Sequence, residues 1–513
     1  HLSIRRQRQM CIRDSMATGY LDNFYARLGI PTTATQEEVR SAFHAAARKF
    51  HPDVNQDSKA PEIFLQIQEA YETLSNPAKR IEYDQLLPQD IRSPQNILVN
   101  AIYSRESLTV MDHSQLLYVL LNIMAAPEVA ERIPSRQPLN VCVVIDTSNS
   151  MSGERLDSVK DTALNVIKSL KPQDILSVVT FSDYANVIIP GTRNQSLNIL
   201  EARISQINAS GGTEIYKGLE AGYNEIIQNL RPNYQNHLIL ITDGRTYGDE
   251  PDCLELARTA ALNQVTIHAL GIGDEWNDEF MEALTSKTGG SSEFAESPYA
   301  IKQFLNQKFG RLQNTFAYNL SLQYTTPDNV RLRYAFRISP DSNSIPVEDS
   351  LILLGDIPKD HSLTVILEFE VGSARLQRED YILLDGTLDM VMPTAIVPNI
   401  SSRLTFSRRL EENPVPVPPP RILVESLSRL SMYRLQEMAR RDIKEGNIGK
   451  ATSRLKNLAT QLLSSGEKQL AETVMLELDQ IRTTRHIGPE AAKRIKYGTR
   501  ALLLDSIDEG PQP

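Results

Sequence analysis

Apolar residues recur every three or four positions from residue 22 to 87, the period of helices that bury one face. Val39, Ala42, Phe43, Ala46 and Phe50 form one stripe; Phe64, Ile67, Ala70, Tyr71 and Leu74 form another. Between them lies HPDVNQDSKAP, a polar loop with two prolines, so the pattern predicts a helical hairpin with opposed apolar faces. Around 95–133 it changes to two short β-rich runs, NILVNAIY and LLYVLLNIM, with no partner sheet beside them. From 139 to 312, NVCVVID, ILSVVTF, HLILITD and VTIHALGIG are continuous apolar runs, each followed by an amphipathic stretch. Strands buried on both faces read this way, and the alternation predicts a doubly wound parallel sheet.

Alternating strands return over 316–410, as in NVRLRYAFRI and SLTVILEFEV. An isolated hairpin is marginally stable and its open edges invite aggregation, so 95–133 and 316–410 are expected to share one β-sandwich. The α/β domain would then be an insertion in that sandwich. EENPVPVPPP at 411–420 holds five prolines in ten residues and predicts an extended linker. Leucine and isoleucine at helical spacing over 421–505, with Gly446 and Gly466 at expected helix ends, predict a C-terminal domain of three or four helices. These pairs faintly resemble tetratricopeptide units, without the self-similarity of a ~34-residue repeat. The fold class expected is multidomain α/β: a helical module at 18–88, a split sandwich, an inserted α/β domain at 139–312 and a helical tail.

The opening HLSIRRQRQMCIRDS has four arginines and no apolar periodicity; residues 1–15 are read as an assembly artefact ahead of a start at Met16. The chain as a whole carries a formal charge of -10, and setting that basic stretch aside makes it more acidic, which argues against nucleic acid as a partner. Apart from Cys11 only Cys142 and Cys253 remain, too few for a disulfide framework or a thiolate zinc site. The run at 116–126 is eleven residues broken by Asn122, so neither a membrane span nor an export signal is expected. The location expected is cytoplasmic.

His51-Pro52-Asp53 follows ARKF at the head of the polar loop, where Pro52 stiffens the chain and a rigid corner presents an imidazole and a carboxylate. No nucleophile or orienting partner lies nearby, so docking is expected there and not catalysis. With FYARLGI before it, QEEVRSAFHAAARKF leading into it and FLQIQEAYETLSNPAKRIEYD after it, the segment resembles the J domain of DnaJ-type co-chaperones. The resemblance implies that His51, Pro52 and Asp53 engage a DnaK-type chaperone of the 70 kDa heat-shock class and stimulate its ATPase. It also implies a basic second helix, here Arg40, Arg48 and Lys49. His44 and Ala45 stand where further cations are usual, so electrostatic steering should be weaker. No Gly/Phe-rich linker and no zinc module follows, which leaves client choice to the rest of the chain.

Oxygen-bearing side chains sit at three strand ends: Asp146, Ser148 and Ser150 in VVIDTSNSMSG, Thr213 in SGGTEIYKG and Asp243 in LITDGRT. In an open α/β sheet these ends share one crevice, and an oxygen-only set selects Mg²⁺ or Mn²⁺ over softer metals. The pattern resembles the metal-ion-dependent adhesion site of von Willebrand factor A (vWA) domains of bacterial type. The resemblance implies a metal with one position left for an acidic residue of a protein client, and binding that chelators reverse. Asp249, Glu250, Asp252, Asp274, Glu275 and Asp278 read as a solvated face or as a rim tuned to partners. His268 and Cys142 read as core residues. No phosphate-binding glycine loop occurs in a strand-to-helix context.

Two functions follow. One is a non-enzymatic co-chaperone whose J domain recruits a DnaK-type ATPase while the vWA domain selects a client or complex. The alternative is a vWA-based scaffold of an intracellular assembly, of the kind linked to AAA+ ATPases, with an accessory J domain.

Overall fold

The computed structural model divides into two compact units, 1–96 and 97–513. It describes residues 24–28, 34, 36–50, 60–77, 79–80 and 83 of the first. Of the second it describes 97–126, 137–193, 196–231, 234–246, 248–347, 350–373, 380–392 and 399–508.

The first unit contains helices α1 (Phe24–Leu28), α2 (Gln36–Phe50) and α3 (Ala60–Leu74). Val39, Ile67, Ala70 and Leu74 are buried with Tyr25 and Leu28, and the Phe43 and Tyr71 rings stack at 4.1 Å. Gln36, at the start of α2, donates to the Leu74 carbonyl at the end of α3, so the two helices run antiparallel, as their stripes predict. The artefact expected at 1–15 and the triad His51, Pro52 and Asp53 lie outside the described residues.

In the second unit a six-stranded sheet has the order β6-β5-β4-β7-β8-β9. These strands are β4 (Leu139–Asp146), β5 (Ile175–Phe181), β6 (Ala185–Thr192), β7 (Gln235–Thr242), β8 (Val265–Ile272) and β9 (Ser292–Ala295). Helices α4 (Glu154–Ser169), α5 (Leu197–Ser205), α6 (Ile215–Gln228), α7 (Glu250–Leu262) and α8 (Asp278–Ser286) join them, and α9 (Pro298–Gln313) follows the last strand. Every residue of β4, β5, β7 and β8 is buried, which is why these runs carry no polar alternation. The edge strands β6, which is antiparallel to β5, and β9 escape the sequence pattern because β6 is largely solvated and β9 has only four residues.

The strands flanking this domain form two five-stranded sheets. One runs β1 (Ile97–Tyr103), β3 (Gln115–Ala125), β14 (Leu363–Val371), β11 (Val330–Ser339), β12 (Asn343–Ile345). The other runs β13 (Leu351–Pro358), β10 (Thr315–Thr325), β15 (Tyr381–Val391), β16 (Asn399–Glu411), β2 (Ser107–Thr109). Leu117, Val119, Leu121 and Ile123 of β3 join the core between the sheets with Leu322, Leu388 and Phe406. Leu120, from the other face of β3, packs on Leu423, Leu430 and Tyr433 of the tail. Burial on both faces explains the apolar run at 116–126 without a membrane. Among the described residues no helix is long and apolar enough to cross one.

Beyond the extended prolines come α10 (Arg421–Lys444), α11 (Ile448–Ser464), α12 (Lys468–Thr484) and α13 (Pro489–Asp508). Gly446 and Gly466 both have positive φ where α10 and α11 end, the left-handed conformation that glycine adopts without strain.

Two histidines cross the core together. His237 of β7 and His268 of β8 stack at 5.5 Å, both fully desolvated. Nδ1 of His268 accepts from the Ser291 N–H, but its Nε2 and the Nδ1 of His237 have no partner, so this is a core histidine that is only half satisfied. Burial, with Lys308 adding repulsion, holds His237 down to about 3 and His268 well below its usual range. A base depressed in the folded state contributes full stability above its unfolded pKa of ~6.5 and loses it as pH falls. Thermal melts from pH 7 to 5 should show a decline that His237→Phe makes shallower, by up to about 1.4 kcal/mol per pH unit for one histidine. An unchanged slope in the variant would contradict this account.

Candidate functional site

Asp146 ends β4 and Asp243 follows β7, its neighbour, at the point where the connections leave in opposite directions and a crevice opens. The segment after β4 makes a single 3-10 turn at Asn149–Met151 before α4 begins. Two backbone bonds tie it to the next loop: Asn149 N donates to the Gly211 carbonyl, and Ser210 N to the Thr147 carbonyl. Gly211 has a φ of +83°, and it and Gly212 lie so close to Asp183 that a side chain on either would collide with its carboxylate. That tight loop delivers Thr213. A Cβ at Gly244 would stand 2.9 Å from the Thr213 hydroxyl, so glycine there lets the hydroxyl reach the residue after Asp243.

Four of the five expected residues are joined by hydrogen bonds. Oδ1 of Asp146 accepts from Ser148 N at 2.7 Å, and its Oδ2 from the Thr242 hydroxyl at 2.5 Å. The Ser148 and Ser150 hydroxyls lie 3.0 Å apart, and Ser150 donates to Asp243 Oδ1 at 2.7 Å. Thr213 adjoins the group through Gly244. Asp146, Ser148 and Asp243 are buried, Thr213 is half-buried and Ser150 is exposed, so the group runs from the interior to the surface.

The donor set suits a divalent cation. Burial raises the Asp146 carboxyl to about 6, against hydrogen bonds from Thr242 and Ser148, and nearby Asp243 raises it further. A desolvated carboxylate beside a second one gains most from positive charge. Three neutral hydroxyls complete a hard, oxygen-only set. Among the described residues no cluster of three or more His, Cys, Asp or Glu is placed to hold a metal.

Two of the other acidic residues, Asp249 and Asp278, serve the fold. Asp249 accepts from Tyr216 N at 2.9 Å and from the Thr246 hydroxyl, tying the start of α6 to the loop before α7. Asp278 belongs neither to a solvated face nor to a rim: it is buried, with Arg440 bidentate on it at 2.7 and 2.9 Å and Lys496 at 2.9 Å. Cys142 is core, its thiol pushed up to about 12 by burial.

Sequence reasoning misses Arg155, whose Nη1 donates to Asp243 Oδ2 at 2.6 Å. Its signal is a cation in the first turn of α4, where the helix dipole favours anions. In the first unit Arg40 is exposed on α2, and Arg48 and Lys49 occupy its last turn.

The α/β fold with its strand-end oxygens defines the class, a von Willebrand factor type A domain, whose family model matches residues 140–308. The DnaJ domain model matches 23–84, and a model of the Sll0103-like C-terminal alpha-helical domain matches 422–505. The chain is a fusion of a DnaJ domain with a vWA domain, followed by a helical tail. It is similar to the sll0103 protein of Synechocystis sp., 28% identical over 343 residues, covering 63% of this chain and 78% of that one. It is 49% identical over 63 residues to the chaperone protein DnaJ of Dictyoglomus thermophilum, a match covering 12% of this chain and 16% of that chaperone. A solved vWA structure from Catenulispora acidiphila superposes with a TM-score of 0.61 at 16% identity, covering 79% of this chain and 96% of that one, a likeness of fold.

Proposed function

We propose that this chain is a co-chaperone without enzymatic activity of its own, acting in the cytoplasm. His51, Pro52 and Asp53 engage a DnaK-type chaperone, with Arg40, Arg48 and Lys49 supplying the electrostatic attraction. Asp146, Ser148, Ser150, Thr213 and Asp243 hold Mg²⁺ or Mn²⁺, and the site selects a client or complex that offers an acidic side chain. The observation that carries this reading is the coexistence, in one chain, of a DnaJ domain and a vWA crevice with all five oxygen-bearing residues. It favours this reading over the scaffold with an accessory J domain.

The residues divide the work by depth. Asp146 and Asp243 contribute the charge, and burial keeps both carboxylates in fixed positions. Ser148, Ser150 and Thr213 contribute neutral oxygens, and the exposed Ser150 marks the side from which a partner approaches. Bound metal would supply Lewis-acid attraction for the partner's carboxylate. Only two protein carboxylates oppose its charge, so the ion keeps exchangeable positions.

The recruiting half is tested with the full chain and the DnaK-type protein of the same organism. The chain is expected to raise the single-turnover ATPase rate, and Asp53→Asn to return it to the basal value with an unchanged helical circular dichroism spectrum. No stimulation by the intact chain would shift the reading to the scaffold.

A further inference from the structure

We infer that Arg155 is a built-in competitor for the metal: its guanidinium holds the Asp243 carboxylate that a divalent cation needs, and the cation binds by displacing it. The inference rests on the metal-site reading and adds to it a means of regulation.

Both oxygens of Asp243 are engaged, Oδ1 by the Ser150 hydroxyl at 2.7 Å and Oδ2 by Arg155 Nη1 at 2.6 Å, and its side chain has no exposure to water. The two bonds differ in what they allow. The Ser150 hydroxyl has lone pairs and can turn them to a cation shared with Asp243. A guanidinium has none to give and carries the same sign as the metal, so Arg155 and a divalent ion exclude each other at Oδ2. Arg155 thus brings to Asp243 the positive charge that a bound cation would otherwise supply.

Three further features fit a displaceable group. The Arg155 side chain is 43% exposed, while Asp243 beneath it is sealed, so the guanidinium has open solvent to swing into. Its other nitrogen, Nη2, passes over Gly273 at the end of β8, where an added Cβ would come within 3.0 Å. Glycine leaves a slot for the arm at that point. The position in the first turn of α4 places a cation where the helix dipole disfavours one. Removal from Asp243 therefore costs that ion pair and a long 3.5 Å bond from Nη1 to the Ser150 carbonyl, with no helix-end stabilisation to lose.

Isothermal titration of the full chain with MnCl₂ and MgCl₂, for wild type, Arg155→Gln, Arg155→Lys and Asp146→Asn, tests this. Arg155→Gln is expected to bind either ion about tenfold more tightly, the size of one partly buried ion pair. Arg155→Lys, which keeps the charge, should stay nearer to wild type. In EDTA the Tm of Arg155→Gln should fall, and its rise on adding metal should exceed that of wild type. Equal or weaker metal binding by Arg155→Gln, with wild type binding normally and Asp146→Asn not binding, would overturn the inference alone. Wild type that binds neither ion would remove the metal-site reading, and this inference with it.

Discussion

Asp146→Asn is expected to lose Mg²⁺ and Mn²⁺ binding by at least about a hundredfold while the protein stays folded, because it removes one of only two anionic ligands. With about -2 of protein charge facing a +2 ion, wild-type affinity should be modest, in the range that a partner's carboxylate can strengthen. Alanine is the poorer probe. Asp146 is completely buried, not on a solvent-exposed rim, and its oxygens accept from Ser148 N and the Thr242 hydroxyl. Truncation would orphan both donors at roughly 1–3 kcal/mol each. Asparagine keeps an acceptor and removes the charge that burial disfavours, so its Tm in EDTA should be no lower than wild type. Titration calorimetry paired with melts in EDTA and in excess metal reads both effects. Nanomolar Mg²⁺ binding by the wild type without a partner, or retained binding in Asp146→Asn, would refute the two-carboxylate site.

Lys496→Met should be the most destabilising single change in the tail. Lys496 of α13 is completely buried and reaches two carboxylates of α8, Asp278 at 2.9 Å and Glu282 at 2.6 Å. Arg440 from α10 and Arg500 from α13 complete the cluster at 2.7 Å each. Removing the central cation takes one partner from each carboxylate and leaves Arg440 alone on Asp278 and Arg500 alone on Glu282, a loss approaching the about 3–5 kcal/mol of a broken buried pair. Urea denaturation of the full chain measures the loss, and limited proteolysis should release the tail first. The same cluster sets an acid limit. Burial alone would raise Glu282, but Arg500 and Lys496 outweigh it and hold it down to about 2; Arg440 and Lys496 likewise depress Asp278. Carboxylates depressed in the folded state stabilise fully above their unfolded pKa of ~4.5 and lose that contribution as pH falls towards 2. The tail should therefore loosen in that window, and Lys496→Met should loosen it at higher pH. A variant as stable as wild type would show the cluster to be energetically neutral.

Local pattern made much of this protein legible. The stripe of Val39, Ala42, Phe43 and Ala46 meets Ile67, Ala70 and Tyr71 because helical period alone decides which side chains share a face. Runs such as VVID and LILIT lie in strands with both faces covered because only such strands dispense with polar alternation. The five oxygen-bearing residues stood out because hard-metal chemistry restricts residue type and the strand ends restrict position. β16 is harder to recognise, since arginines and serines fill its solvent-facing positions in SSRLTFSRRL and weaken its pattern.

What sequence by itself determined was therefore the set of local elements and the residue types at the crevice, both encoded within a few turns or a few strand positions. The tertiary structure alone decided which charges meet. Asp278 reads as a surface acid until Arg440 and Lys496, 162 and 218 residues further on, are brought against it. Arg155 reads as an ordinary helix residue until β7 places Asp243 beneath it. The tail reads as a separate bead after a proline linker, yet Leu423, Leu430 and Leu503 cover the sheet face that exposes Leu120 and Phe336. Ion pairing and apolar burial act over a few ångströms whatever the separation along the chain, so the partner of a charge or of an exposed face is a property of the folded arrangement.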